Sequence, residues 1–299
     1  MEKNTPNILV VDDEAQNLEI IQEFLSDEIT CSITTYVDSL QAWQELEANP
    51  SRYDVILLDW MMPELDGLEL LYRIKQNPAL RFTPVIMQTA RSEKQDILRG
   101  LAAGAFYYLT KPYNHEALCQ IINAALDDIR RFRELESILQ QSDKSQAIDT
   151  AAEFEITSLN DADHLAMVLA KSCPEPDKVI SGISELLVNA IEHGNLHIGY
   201  EEKSELKKQG TWREEIERRL QLPEYIGKAV KINYTHNGTS ITITITDQGK
   251  GFNWQNFLEF SPERVFDSHG RGIAMARLMS FDDLKYNDAG NEVTATIKI

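Results

Sequence analysis

The chain has 299 residues, 26% of them charged and 42% hydrophobic, and a formal net charge of −19. That length exceeds one ordinary core and suits two domains. The acidic balance argues against a nucleic-acid or anionic-membrane surface, since both are polyanions. No window approaches ~18 uninterrupted apolar residues, so no transmembrane span is expected.

The opening MEKNTPN runs straight into an apolar segment without a signal core, so a cytoplasmic location is expected. Cys31, Cys119 and Cys173 are odd in number and far apart, and read as thiols of a reducing compartment. From residue 7 to about 125, short apolar runs alternate with amphipathic segments. Ile8–Val11, Ser32–Tyr36, Val55–Leu58, Val85–Gln88 and Ala105–Leu109 are predicted strands. Gln16 to Leu25 is a predicted helix, with Leu18, Ile21, Phe24 and Leu25 on one face. Such alternation implies a doubly wound α/β sheet whose ligand site lies beyond the carboxyl ends of the strands.

Chemistry-bearing residues fall at those ends. Asp12 and Asp13 follow the first strand, Asp59 the third, Thr89 the fourth and Lys111 the fifth. An aspartyl carboxylate can take a phosphoryl group directly, provided a metal neutralises the charge between them. Asp59 is the candidate nucleophile. Asp13 and Asp59 would ligate Mg²⁺ directly and Asp12 through water, with Thr89 and Lys111 addressing phosphate oxygens. In order and spacing, VVDDE, LLDWMMPELDG, QTA and LTKP resemble the four blocks of the receiver domain of bacterial response regulators. The resemblance implies a flavodoxin-like fold over residues 1–125 and a metal site completed by the Met61 carbonyl. It also implies an aromatic switch at Tyr108, a cis bond before Pro112 and an upstream histidine kinase as phosphoryl donor.

Residues 114–140 form a predicted long helix, with Leu118, Ile121, Ile122, Ala125, Ile129, Phe132, Leu135 and Leu139 at three- and four-residue spacing. Both a helical linker over 126–151 and a coiled-coil homodimer seam fit this pattern. A polar stretch, 140–150, follows. The second half opens with a predicted strand, Glu153 to Ser158, then a helix broken at Pro174 and Pro176, then a helix from Asp177 to His193. Val230–Thr235 and Ile241–Thr246 alternate about His236-Asn237-Gly238-Thr239, a hairpin signal. A helix over Ile273–Met279 and a strand over Val293–Ile299 close the chain. Helices followed by antiparallel strands predict a two-layer α+β sandwich over 152–299, interrupted by a charged insertion at 196–228.

On the predicted helix, Glu185, Asn189 and the pair Glu192 and His193 share one face. Two glycine-rich loops accompany it: Asp247-Gln248-Gly249-Lys250-Gly251 after a strand, and Gly270-Arg271-Gly272 opening a helix. Glycines permit close backbone approach, and a helix N-terminus offers N–H groups to phosphate. With ISELLVNAIEHGN, this order resembles the GHKL (Bergerat) ATP-binding fold, in particular its anti-sigma-factor serine kinase branch. The resemblance implies that Asp247, supported by Thr294, reads the adenine amino group and that Asn189 holds Mg²⁺ against the phosphates of ATP. Glu185 would be the general base. Gly249, Gly251, Gly270, Arg271 and Gly272 would frame the nucleotide and a lid from Phe252 to His269. His193 would either help position substrate or simply hydrogen-bond in the core.

The expected function is therefore a response regulator whose Asp59 phosphorylation controls an ATP-dependent protein serine/threonine kinase. Family likeness names a STAS-type anti-sigma antagonist as substrate, within a partner-switching circuit. One alternative is a non-catalytic nucleotide-binding module that sequesters an antagonist or a sigma factor. Another, an atypical hybrid histidine kinase, needs a phosphorylatable histidine followed by an acid on a two-helix segment, which the surroundings of His164 do not match.

Overall fold

The computed structural model describes residues 5–89, 99–141, 148, 150–258 and 272–299. The chain divides into two compact units, the first reaching Phe132 and the second starting at Arg133.

In the first unit, strands β1 (Asn7–Val11), β2 (Ser32–Tyr36), β3 (Val55–Asp59), β4 (Val85–Thr89) and β5 (Tyr107–Thr110) form a parallel sheet in the order β2-β1-β3-β4-β5. Every residue of β3 and β4 is buried, as expected of central parallel strands covered on both faces. Helices α1 (Ala15–Glu28), α2 (Ser39–Ala48), α3 (Gly67–Gln76) and α4 (His115–Gln141) surround the strands in sequence. Asp38 caps α2 by accepting from the backbone N–H groups of Leu40 and Gln41, and Asp66 caps α3 through Glu69 N–H. One core cluster gathers Leu18, Ile21 and Leu25 of α1, Leu118, Ile122 and Ala125 of α4, and Ile8, Val10, Val55, Leu57, Ile86, Tyr107 and Leu109 of the strands. The order reverses at β1–β3, which opens a crevice at the carboxyl ends of those strands. This is a flavodoxin-like doubly wound fold.

The second unit carries an antiparallel sheet of β6 (Ala151–Ile156), β7 (Val230–His236), β8 (Ser240–Thr246), β9 (Asp283–Tyr286) and β10 (Glu292–Lys298), ordered β6-β7-β8-β10-β9. The short edge strand β9 has no clear alternation and was not legible in the sequence. Val230, Ile232 and Tyr234, then Ile241, Ile243 and Ile245, then Val293, Ala295 and Ile297 bury the same face. Tyr234 donates its hydroxyl across to the Ser172 carbonyl, at the end of α5 (Leu159–Lys171). Helix α6 (Pro176–Asn189) packs beside α5 and runs into a widened π-helical turn, Ala190–Asn195.

The 196–228 segment folds into two helices, α7 (Tyr200–Gln209) and α8 (Trp212–Leu220), split by Gly210 at φ +72°. Side chains pin it to the π turn. Arg219 donates to the Leu196 carbonyl at 2.9 Å, and Lys228 to the Asn195 carbonyl at 3.0 Å. Beyond β8 come a single-turn helix α9 (Gln255–Leu258) and helix α10 (Gly272–Met279).

Candidate functional site

The first site lies at the carboxyl ends of β1, β3 and β5. Asp12 and Asp59 are buried, and the Lys111 ammonium stands between them, 2.6 Å from Asp12 Oδ2 and 2.6 Å from Asp59 Oδ1. Asn17 donates to Asp12 Oδ1 at 3.0 Å, and the Met61 N–H donates to Asp59 Oδ2 at 2.7 Å. Burial lifts the Asp59 carboxyl above the usual range, with Asp12 adding to the lift and Lys111 opposing it. Burial also works against the Lys111 charge, but hydrogen bonds and attraction from the two carboxylates hold its pKa above the ordinary value. The cause in both cases is two acids and one base sharing a poorly solvated crevice.

Asp13 is exposed on the following turn. Among the described residues no three His, Cys, Asp or Glu side chains gather into a metal cage. A cation here would rest on a few protein oxygens plus water. The oxygen-only donor set fits a hard ion such as Mg²⁺. Thr89 is buried at the end of β4, and the Lys111–Pro112 bond is cis. Tyr108 is turned inward, edge-on to Trp60 at 5.8 Å and against Gly100. Gly67 is required where α3 begins, because a Cβ there would fall on the Asp59 carbonyl oxygen.

The second site lies where α6, the loop after β8 and the start of α10 meet. Asn189 donates through Nδ2 to Glu185 Oε1 at 2.9 Å, one helical turn apart. A Cβ on Gly272 would collide with that same carboxylate oxygen, so Glu185 lies against the first turn of α10. The Asp247 carboxylate accepts the Gly249 N–H at 2.7 Å and lies against Gly194, at the end of the π turn. Burial pushes the Asp247 carboxyl up to about 6, against the pull of the Gly249 N–H and Lys228. A Cβ on Gly249 would come 2.5 Å from the Gly194 carbonyl, and Gly251, at φ +75°, presses on the Ala289 carbonyl. The glycines thus pack backbone against backbone around two carboxylates and a carboxamide. That arrangement suits an amino-bearing base at Asp247 and a metal-bound polyphosphate near Asn189.

Two expected members stand elsewhere. Thr294 pairs with Thr244, and their hydroxyls lie 3.2 Å apart. Strand alternation puts both on the sheet face opposite Val293, Ala295 and Ile245, whereas Asp247 continues the Ile245 row. Thr294 therefore does not support Asp247. Asn291 holds the Asp247 backbone: its Nδ2 donates to the Asp247 carbonyl at 3.3 Å, and its own carbonyl accepts the Asp247 N–H at 2.9 Å. His193 has both ring nitrogens engaged, Nδ1 with the Ile198 carbonyl at 2.5 Å and Nε2 with Glu192 Oε1 at 2.8 Å. Gly270, Arg271 and the lid beyond Leu258 lie outside the described residues.

Sequence reasoning missed Tyr286 and the partners of Glu192. Tyr286 is half-buried, stacks on Trp254 at 6.0 Å and meets Phe252 edge-on at 5.4 Å. Burial raises its phenol pKa, as do the nearby charges of Glu185 and Asp247. It sits on the unpredicted strand, so no local signal marked it. Glu192 is fully buried, paired with Lys203 and His193, and accepts from Trp212 Nε1 at 2.9 Å. Lys203 and Trp212 belong to the charged insertion, which had no visible anchor in the sequence.

Residues 8–123 match the response regulator receiver domain family, and residues 162–297 match the histidine kinase-like ATPase domain family. The chain is similar to the phosphate regulon transcriptional regulatory protein PhoB of Rhizobium meliloti (strain 1021), at 34% identity over 121 residues, covering 40% of this chain and 52% of PhoB. It is also similar to chemotaxis protein CheY1 of Helicobacter pylori (strain ATCC 700392 / 26695), at 30% identity over 119 residues, covering 40% of this chain and 95% of CheY1. The crystal structure of Vibrio cholerae chemotaxis protein CheY4 matches 41% of this chain and 100% of its own, at 28% identity and a TM-score of 0.38. The chain thus spans about half the length of PhoB and nearly all of CheY1. No helix among the described residues is long and apolar enough to cross a membrane.

Proposed function

Because the chain belongs to the response regulator receiver family and joins to its receiver a histidine kinase-like ATPase domain, we propose that it is a two-component regulator in which phosphorylation of Asp59 controls a protein serine/threonine kinase. A carboxylate oxygen of Asp59 attacks the phosphorus of a phosphohistidine. The P–N bond breaks, and the donor's imidazole leaves with the bond's electron pair. Asp12, Asp13, Asp59 and the Met61 carbonyl would hold Mg²⁺, which neutralises charge between nucleophile and phosphate when bound. Lys111 and Thr89 would then address the phosphoryl oxygens.

In the output domain Asp247 would accept the purine amino group and Asn189 would offer its Oδ1 to the nucleotide's metal. Glu185 would take the proton of a serine or threonine hydroxyl as that oxygen attacks the γ-phosphorus and ADP leaves. The observation that carries this reading is the Glu185–Asn189 pair set against Gly272 at the start of α10, a base beside the place where phosphates would lie. His164 does not favour histidine-kinase chemistry, because buried Leu165 and Ala166 follow it rather than an acid. A STAS-type anti-sigma antagonist is the proposed substrate, and the cytoplasm the proposed location.

The test combines full-length protein, radiolabelled ATP and a purified STAS-domain protein, with and without beryllofluoride on the receiver. Label should reach a serine or threonine of the partner, and Glu185→Ala should abolish transfer while retaining nucleotide binding. Undiminished transfer in that variant refutes the assigned base. Nucleotide binding and partner capture with no transfer at all would favour sequestration.

A further inference from the structure

Gln88 is a fully buried polar residue that no step above uses. Ile8 and Val10, Val55 and Leu57, Ile86, and Tyr107 and Leu109 all face the same core cluster. Strand alternation then places Asp12, Asp59, Gln88 and Lys111 on that face, one row further toward the carboxyl ends. Gln88 is the register partner of Asp59 on the next strand, and β4 lies between β3 and β5. Its carboxamide therefore belongs to the floor of the acidic crevice that Lys111 bridges.

The amide has a fixed orientation. The Tyr113 hydroxyl, just past the cis Lys111–Pro112 bond, donates to Gln88 Oε1 at 2.5 Å. Burial and the adjacent charges of Asp12 and Asp59 keep that phenol protonated, so it stays a donor. With Oε1 occupied, the Nε2 group presents two N–H donors. Among the described residues it has no hydrogen-bond partner. Native interiors rarely leave a buried amide unpaired, and such exceptions call for an account.

We propose that Gln88 is a positioning residue of the phosphoacceptor site, its Nε2 donating to the Asp59 carboxylate as that group leaves phosphorus, and that Tyr113 acts through it as the orienting donor. The inference rests on the reading of Asp59 as phosphoacceptor. In hydrolysis a water oxygen bonds to phosphorus, the bond from phosphorus to the Asp59 oxygen breaks, and its electron pair returns to the carboxylate. The water's proton leaves with inorganic phosphate. An N–H donor in register with Asp59 that meets the returning charge lowers this barrier, because charge-assisted hydrogen bonds are stronger than neutral ones.

The test uses full-length protein phosphorylated by phosphoramidate with Mg²⁺, followed by decay of the acyl phosphate on a mobility-shift gel. Gln88→Leu should lengthen the half-life about tenfold, the size expected for one hydrogen bond to a charged group. Gln88→Met, equally long and without a donor, should do the same. Each also strands the Tyr113 hydroxyl, so a modest fall in melting temperature is expected, while Mg²⁺ affinity measured by calorimetry should hold. Tyr113→Phe should lengthen the half-life less, and the double variant should match Gln88→Leu alone. An unchanged or shortened half-life in Gln88→Leu and Gln88→Met overturns the proposal, and additive effects overturn the orienting role of Tyr113. Absence of acyl phosphate in the unsubstituted protein would instead refute the phosphoacceptor reading itself.

Discussion

Glu192 carries its charge in complete burial, and replacing it with leucine isolates what that charge holds together. Its carboxylate pairs with Lys203, receives the Trp212 indole N–H at 2.9 Å and meets His193 Nε2 at 2.8 Å. Burial alone would raise its pKa, yet Lys203 and His193 outweigh it and pull the group from 4.5 down to about 2. That difference corresponds to about 3 kcal/mol between the two protonation states. An independent line gives a similar size, because removing one partner of a buried ion pair costs about 3–5 kcal/mol. Lys203, with its side chain 13% exposed, would be the stranded partner. Glu192→Leu should therefore destabilise the second unit by about 3 kcal/mol in urea titration of the full chain.

Hydrogen exchange localises the effect. Amides of α7 and α8 should lose protection by about two orders of magnitude, while the first unit is unchanged. The pH dependence supplies the sign. A carboxylate held below its unfolded value stabilises the fold above pH 4.5, and that contribution disappears as pH falls toward 2. Glu192→Gln should flatten this acid limb. A stability loss below about 1 kcal/mol, or exchange that rises elsewhere than in 200–220, would refute the view that this carboxylate anchors the insertion.

Nucleotide affinity should fall as pH drops through about 6, where Asp247 gains its proton and stops accepting from a purine amino group; titration calorimetry between pH 5 and 8 checks this, and Asp247→Asn should remove the dependence. Gly251→Ala places a Cβ on the Ala289 carbonyl at φ +75°, so thermal unfolding should show a loss of at least about 1–3 kcal/mol, with weaker nucleotide binding. Gly67→Ala should impair phosphoramidate labelling, because its Cβ would displace the Asp59 backbone; labelling at the unsubstituted rate would count against that packing. Lys111→Met leaves Asp12 and Asp59 facing each other without their shared cation, so NMR titration should show the Asp59 carboxyl rising further.

Much of the first unit was legible because parallel strands buried on both faces read as apolar runs, and the acids, hydroxyl and amine fall directly at their ends. The hairpin β7–β8 was legible for a related reason: Asn237 accepts from Thr239 and Ser240 N–H, and Gly238 takes φ +88°, a local turn chemistry independent of distant contacts. Such features depend on neighbours in sequence, and the chain alone determined them. The carboxylate–carboxamide pair of α6 belongs to the same class, since helical periodicity sets Glu185 beneath Asn189.

Other assignments depended on which strand lies beside which. Strand β9 is four residues at a sheet edge, too short to show a period, so Tyr286 had no local marker. Thr294 differs from its neighbours only in pointing the other way, and a one-residue change of register would have exchanged its face for that of Val293. Gln88 looked like the polar end of an apolar run until the pairing of β3 with β4 set it beside Asp59. Glu192 looked like a further polar member of the Glu185–Asn189 helix face until Lys203 and Trp212, from a segment beyond the helix, closed on it. Sequence spacing settles which side chains share a face within one element. Only tertiary pairing, through hydrogen-bond register and burial, decides which faces meet and which buried charges find partners.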